Sequence, residues 1–318
     1  MNVLFSILLN SIVPIFILIS LGYIIGKKFD MDIGTLTKVN FYLFVPSFAF
    51  INIYNTNITP GLIKIILIGL VLLLVNFLIG AGTGRLLGLP TKSVKAFENS
   101  LMFNNSANIG IPLITLVFSN APFVVDGQTP YLEAAISIQV MVMLVQNLTV
   151  NTLGFVNSGG EGMNAKAGLR KILRMPAIYV IPSAILLRLT PFDITATPLW
   201  PALEYLRAGL VAMALTILGI QLSQTKLNLK RKVPYLSVIL RLIGGPVIAL
   251  AVIHIFRLTG VAAQAVFISA STPTAVNVAL LSVECKGDIE FAVQSVTLST
   301  LFSAVTMTAA IYLSNVIF

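Results

Sequence analysis

The sequence predicts an all-α polytopic membrane protein, and three observations carry that prediction. Of its 318 residues, 57% are hydrophobic and only 10% charged, where a soluble domain carries about 25% charge. The mean hydropathy is +0.97. Apolar runs recur along the chain, and runs of about 18 or more residues read as membrane spans.

The runs fall at about 3–26, 37–55, 61–84, 94–119, 131–155, 171–190, 201–223, 233–257, 261–284 and 289–317. That gives ten expected transmembrane helices. The first, MNVLFSILLNSIVPIF, lacks a basic leader and a small-residue cleavage site, so it reads as a span rather than a signal peptide. The longest polar stretch, NSGGEGMNAKAG at 157–168, separates five spans from five. The expected organisation is therefore a first repeat over 1–156, a cytoplasmic loop at 157–170 and a second repeat over 171–318.

Charge sets the expected orientation. Of the 20 Lys and Arg, 15 fall after odd-numbered spans, among them Lys27, Lys28, Arg85, Lys92, Arg231 and Lys286. Lys64, Arg188, Arg207 and Arg257 fall on the other side, and Arg241 lies inside span 8. Cytoplasmic loops collect Lys and Arg, which places both termini outside the cytoplasm. The same rule accounts for the net charge of +9 without a nucleic-acid partner. The lone Cys285 excludes an intrachain disulfide, and the lone His254, near the outer end of span 8, excludes multi-histidine metal sites. No cofactor is expected.

The halves echo each other. Pro14 and Pro176 are 162 residues apart, Phe29-Asp30-Met31 and Phe192-Asp193-Ile194 are 163 apart, and Pro112 and Pro273 are 161 apart. Each half has an odd number of spans, so the second must enter the membrane inverted. Inverted repeats are a transporter signature, with the site at the repeat interface.

The candidate site lies where polar residues interrupt matched spans. Span 4 holds NNSANIGIP (104–112) and span 9 holds SASTPTAVN (269–277). Proline removes a donor and disfavours helix in the residue before it, so each span should break into half-helices. Pro112 and Pro273 are expected near the start of the second halves. Broken backbone at membrane depth is tolerated only in protein or a water-filled cavity. Asn104, Asn105 and Asn108 should thus face inward, where helix N-termini favour a small anion.

These residues carry a resemblance. The N-x-x-N-x-G-x-P spacing of Asn105, Asn108, Gly110 and Pro112, with TPTAVN later, resembles the auxin efflux carrier family over nearly the whole chain. The resemblance implies a fold like that of bile-acid/sodium symporters, with broken helices 4 and 9 crossing at the site. It implies organic-anion transport by an elevator motion, in the cell membrane, and a homodimer. It places Asn104, Asn105 and Asn108 on the first crossover, Thr272, Thr274 and Asn277 on the second, and Pro112 and Pro273 at the crossing. The short central loop is similar to that of bacterial members associated with malate and malonate; an auxin-like aromatic carboxylate is the alternative solute.

Further site candidates come from polarity alone. Gln139 and Gln146, seven residues apart on span 5, share a helix face, and Asn147 is adjacent. Ser47 follows Pro46 in span 2. These could line the site or bond between helices. Arg241 could touch solute, as intramembrane cations often do, or snorkel to the interface. Gly80, Gly84 and Gly88 form a stripe suited to close helix packing. An intramembrane enzyme would need paired acids or metal ligands at depth, and the acids cluster near span ends. A channel would need a ring of pore residues. A solute receptor without transport is the remaining rival.

Overall fold

The computed structural model describes residues 3–55, 60–159, 173, 176–225 and 230–318. Most of the expected cytoplasmic loop at 157–170, and the start of span 6, lie outside the described residues. Among those described, helices dominate and β-structure is limited to isolated bridges. In chain order the helices are α1 (Val3–Lys28), α2 (Ile33–Asn55), α3 (Pro60–Leu86), α4 (Thr91–Met102), α5 (Ser106–Phe118) and α6 (Leu132–Asn157). They continue with α7 (Pro176–Arg188), α8 (Leu199–Ser223), α9 (Val233–Ile255), α10 (Gly260–Ala270), α11 (Asn277–Glu284) and α12 (Ile289–Ile317). Seven described helices (α1, α2, α3, α6, α8, α9 and α12) are long and apolar enough to cross a membrane. The protein is a multi-pass, all-helical membrane protein.

Among the described residues, five helices contain a π turn, and four of these turns share one cause. Leu8–Ile12, Asn40–Phe44, Ser106–Gly110 and Leu240–Gly244 each end two residues before a proline: Pro14, Pro46, Pro112 and Pro246. A proline has no N–H to donate and its ring crowds the carbonyl four residues back. Widening the preceding turn by one residue accommodates that carbonyl without ending the helix. The fifth turn, Val150–Gly154, has no such proline. There the chain passes close to Phe103, and a Cβ at Gly154 would lie 2.8 Å from its ring.

Helix contacts sort into two groups. α1 packs along α8, and α2 packs against α7 and α8. α3, α4, α5 and α6 pack with α9, α10, α11 and α12. Each group takes helices from both halves of the chain. The α1–α8 contact is backbone on backbone: a Cβ at Gly22 would collide with the Thr216 carbonyl, and one at Gly219 with the Ile19 carbonyl. The α3–α4 contact uses the glycine stripe. A Cβ at Gly80 would sit 2.9 Å from Glu98 Cα, and one at Gly84 would sit 3.2 Å from Val94. Gly88 instead ends α3 in the left-handed region at φ +61°, where glycine carries no Cβ penalty.

Capping aspartates refine the sequence echo. Asp193 accepts from the Thr195 amide and hydroxyl. Asp32 does the same work for α2, accepting from the Gly34 amide and the Thr35 hydroxyl. Asp32 and Asp193 are 161 residues apart, the spacing that also separates Pro112 from Pro273. These hydrogen bonds, from Thr35 first, hold the Asp32 carboxyl below its ordinary pKa, and those from Thr195 do the same for Asp193.

Candidate solute-binding site

Two helix breaks meet inside the second group. α4 stops at Met102 and α5 begins at Ser106; α10 stops at Ala270 and α11 begins at Asn277. The residues between pair as an antiparallel bridge, Asn104 opposite Thr274. Asn105 N donates to Pro273 O at 2.8 Å, and Ala275 N donates to Phe103 O at 2.8 Å. Each broken segment thus satisfies backbone groups freed in the other, which is what broken backbone at this depth requires.

The prolines take different places around the crossing. Pro112 is the second residue of the α-helical part of α5, behind the π turn. Pro273 lies within the break, not at the start of the second half-helix as its spacing predicts. Its carbonyl is engaged by Asn105, so the helix starts four residues later, at Asn277.

Several polar side chains hold the crossing in shape. Asn104 Nδ2 donates to Ser269 O at 2.9 Å, and Asn104 N donates to Gln146 Oε1 at 3.3 Å. Thr274 Oγ1 donates to Ser100 O, and Thr274 N donates to Ser299 Oγ. Thr272 Oγ1 donates to Ser269 O. Gln139 Nε2 donates to Ser106 O at 2.7 Å, lying so close under Gly110 that a Cβ there would collide with it. Asn105 Oδ1 caps the π turn of α5 by accepting from Asn108 N.

On one side of the crossing lies a polar cavity of about 70 Å³. Its walls come from both helix groups: Thr37, Asn40 and Phe41 of α2, Ile217 and Gln221 of α8, Asn104–Asn108, Asn147, and Ala275–Asn277. Among the described residues, no charged side chain lines it. Four of its buried polar atoms have no hydrogen-bond partner among the described residues: Thr37 Oγ1, Asn40 Oδ1, Asn105 Nδ2 and Gln221 Oε1. Leaving such an atom unpaired costs about 1–3 kcal/mol, so a cavity with four of them is poised for a polar occupant. In the first turn of α11 the Val278 and Ala279 amides already donate to Ala275 O and Val276 O, at 3.0 Å each.

Of the residues singled out in the sequence, Asn104, Asn105, Asn108, Asn147 and Asn277 meet in this cavity. Gln139, Thr272 and Thr274 are spent on the backbone bonds given above, outside the lining. Ser47 donates to Leu43 O one turn back in its own helix. Gln146 and Arg241 line a second, smaller cavity of about 30 Å³ on the other side, with Asn76, Asn104 and Ser269. Arg241 does not snorkel: its guanidinium is buried and bonded to Leu101 O, Ala270 O and Thr272 O.

Sequence reasoning passed over Thr37, Asn40 and Gln221. The signal was present for two of them, since Asn40 and Gln221 are amides inside apolar spans, the same criterion that selected Gln139. What hid them was distance from the proline breaks along the chain.

Residues 163–311 match the family model described as membrane transport protein. An uncharacterized transporter of Methanothermobacter thermautotrophicus is 22% identical over 310 residues, covering 94% of this chain and 95% of the relative. With its broken helices and their asparagine-rich crossing, the chain is similar to membrane transport proteins, over 163–311 to the family model and over nearly its whole length to the archaeal transporter.

Proposed function

We propose that the protein is a secondary transporter that binds a small organic anion, a carboxylate such as malate or malonate, in the cavity at the helix crossing. One observation carries the reading: unpartnered amide and hydroxyl atoms from both helix groups converge beside two helix breaks. Asn105 Nδ2 and the Thr37 hydroxyl supply donors for a carboxylate. Asn40 and Gln221 can each turn an amide N–H to it. At about 70 Å³ the cavity suits a few heavy atoms; an indole-sized solute would require the groups to part.

In this reading the ten helical segments are two inverted five-span repeats, 1–156 and 171–318, joined by the cytoplasmic loop 157–170. The chain sits in the cell membrane with both termini outside, as a homodimer. The group of α1, α2, α7 and α8 is the stationary scaffold. The group holding the crossing moves against it as an elevator, carrying solute between the two faces. Support comes from the site's location, since its walls are shared between groups that otherwise pack mostly within themselves.

The test is thermal stabilisation of the purified protein across malate, malonate, lactate, citrate and indole-3-acetate, followed by flux into liposomes. A ligand at 100 times its dissociation constant adds about 2.7 kcal/mol of stability. A shift with a small dicarboxylate, followed by its flux, is the expected result. Stabilisation only by neutral solutes would overturn the anion reading, and binding without flux would make the protein a receptor.

A further inference from the structure

The Arg241 side chain presents a cation with no carboxylate beside it. It is 3% exposed, and no ion pair reaches it among the described residues. All its hydrogen bonds run to backbone carbonyls: Nε to Thr272 O at 3.2 Å, Nη1 to Leu101 O at 2.8 Å, and Nη2 to Ala270 O. Leu101 belongs to the last turn of α4, Ala270 ends α10, and Thr272 lies in the second break. The guanidinium therefore sits where the carbonyl ends of both first half-helices meet.

Such a place calls for positive charge. Each helix C-terminus carries roughly half a negative charge, and its last carbonyls have no partner within the helix. Carbonyls unwound at a helix break are also the groups with which broken-helix transporters hold a coupling cation. Here the surroundings are shaped to the guanidinium. The π turn Leu240–Gly244 carries Arg241 into position, and Gly245 leaves it room. A Cβ at Gly245 would lie 3.3 Å from Arg241 Cζ and 3.2 Å from Ala270 O. The adjoining 30 Å³ cavity retains two buried polar atoms without partners among the described residues, Asn104 Oδ1 and Ser269 Oγ.

We propose that this carbonyl cradle is a cation site permanently filled by the Arg241 guanidinium, a tethered ion that joins the two breaks in place of a dissociable metal cation. The wild-type crossing then needs no added cation. It keeps its fixed positive charge through every cycle, one side-chain layer behind the solute cavity, with Asn104 lining both. The inference concerns Arg241 and the breaks, and its first test requires no knowledge of the solute.

That test is chemical rescue of Arg241→Ala, read as melting temperature of the solute-free protein. The variant should melt well below wild type. Millimolar guanidinium or methylguanidinium should restore at least half of the loss, while urea, neutral and similar in shape, should restore none. Wild type should show no shift with either compound. Equal rescue by urea, or no rescue of a monodisperse variant, would overturn the proposal. Arg241→Lys covers the case in which Arg241→Ala does not fold. It keeps charge but loses the fork, so it should melt between wild type and any neutral replacement; a melting temperature no higher than that of Arg241→Gln would count against a cation site. Finally, replacing Na⁺ and K⁺ with N-methylglucamine should leave wild-type melting and carboxylate binding unchanged. A requirement for the metal ion would overturn the proposal even if the anion reading stands, and failure of every carboxylate to bind would leave the rescue result intact.

Discussion

Two kinds of buried amide occupy the crossing, and single substitutions separate them. Asn40 Oδ1 and Gln221 Oε1 have no partner, whereas Gln139 Nε2 holds Ser106 O at 2.7 Å. Removing an unpartnered group strands nothing, so Asn40→Ala and Gln221→Ala should weaken carboxylate binding at least tenfold while shifting the melting temperature little. Gln139→Ala strands a buried carbonyl and should cost about 1–3 kcal/mol of stability. Titration of ligand binding beside thermal melting distinguishes the two, and an Asn40→Ala protein with wild-type affinity would take Asn40 out of the site. At this scale the cavity lining was legible where polarity and proline coincide, as at Asn105, Asn108 and Asn277. At Asn40 and Gln221 the buried amide was visible in the sequence but its place at the cavity was not, because α2 and α8 reach it only through tertiary packing. Nor does polarity alone reveal that Gln139 and Thr274 are consumed by backbone carbonyls.

Among the elements, the π turns connect proline placement to site geometry. The turns before Pro46 and Pro112 carry Asn40, Phe41, Ser106, Ala107 and Asn108 to the cavity wall. A π turn holds one residue more than the α turn it replaces, and one residue of helix is about 100° of rotation. Pro112→Ala restores an N–H and removes the clash that favours the wide turn. It should let α5 relax toward α geometry and turn Asn108 away from the cavity. The expected outcome is lost ligand binding at unchanged or slightly raised melting temperature, because Ala is the better helix former. Retained affinity would show that Gln139 and Asn105 hold the turn without the proline. The breaks themselves were legible from Pro112 and Pro273, but the start of α11 was not. It depends on the hydrogen bond from Asn105 to the Pro273 carbonyl, a contact between residues far apart in the chain.

For the whole molecule, the proposed elevator requires that the group bearing the crossing move as one body, and a polar clasp ties its helix starts together. Arg231, before α9, donates to Asp288 at 2.6 and 2.7 Å. Asp288 caps α12 through Phe291 N and accepts from Ser93 Oγ of α4 at 2.6 Å. Lys92 Nζ adds a bond to Lys286 O. Burial opposes ionisation of Asp288, but its bonds to Arg231, Ser93 and Phe291 prevail and hold its carboxyl below the ordinary aspartate value. A carboxyl whose folded pKa is depressed contributes stability above its unfolded pKa, about 3.9, and loses that contribution as pH falls through the lower folded value. At pH 7, Asp288→Asn should therefore cost roughly 1–2 kcal/mol. This is below the 3–5 kcal/mol of a fully buried pair because Arg231 remains about a third exposed. Wild type and variant should converge in stability below about pH 4, which melting curves between pH 3 and 8 would reveal. A difference that persists undiminished at the acid end would mean that the aspartate acts through packing rather than charge. Because Asp288 lies outside the cavity lining, carboxylate affinity at pH 7 should be nearly unchanged while flux falls. That combination separates a clasp that keeps the moving group rigid from a residue that touches solute.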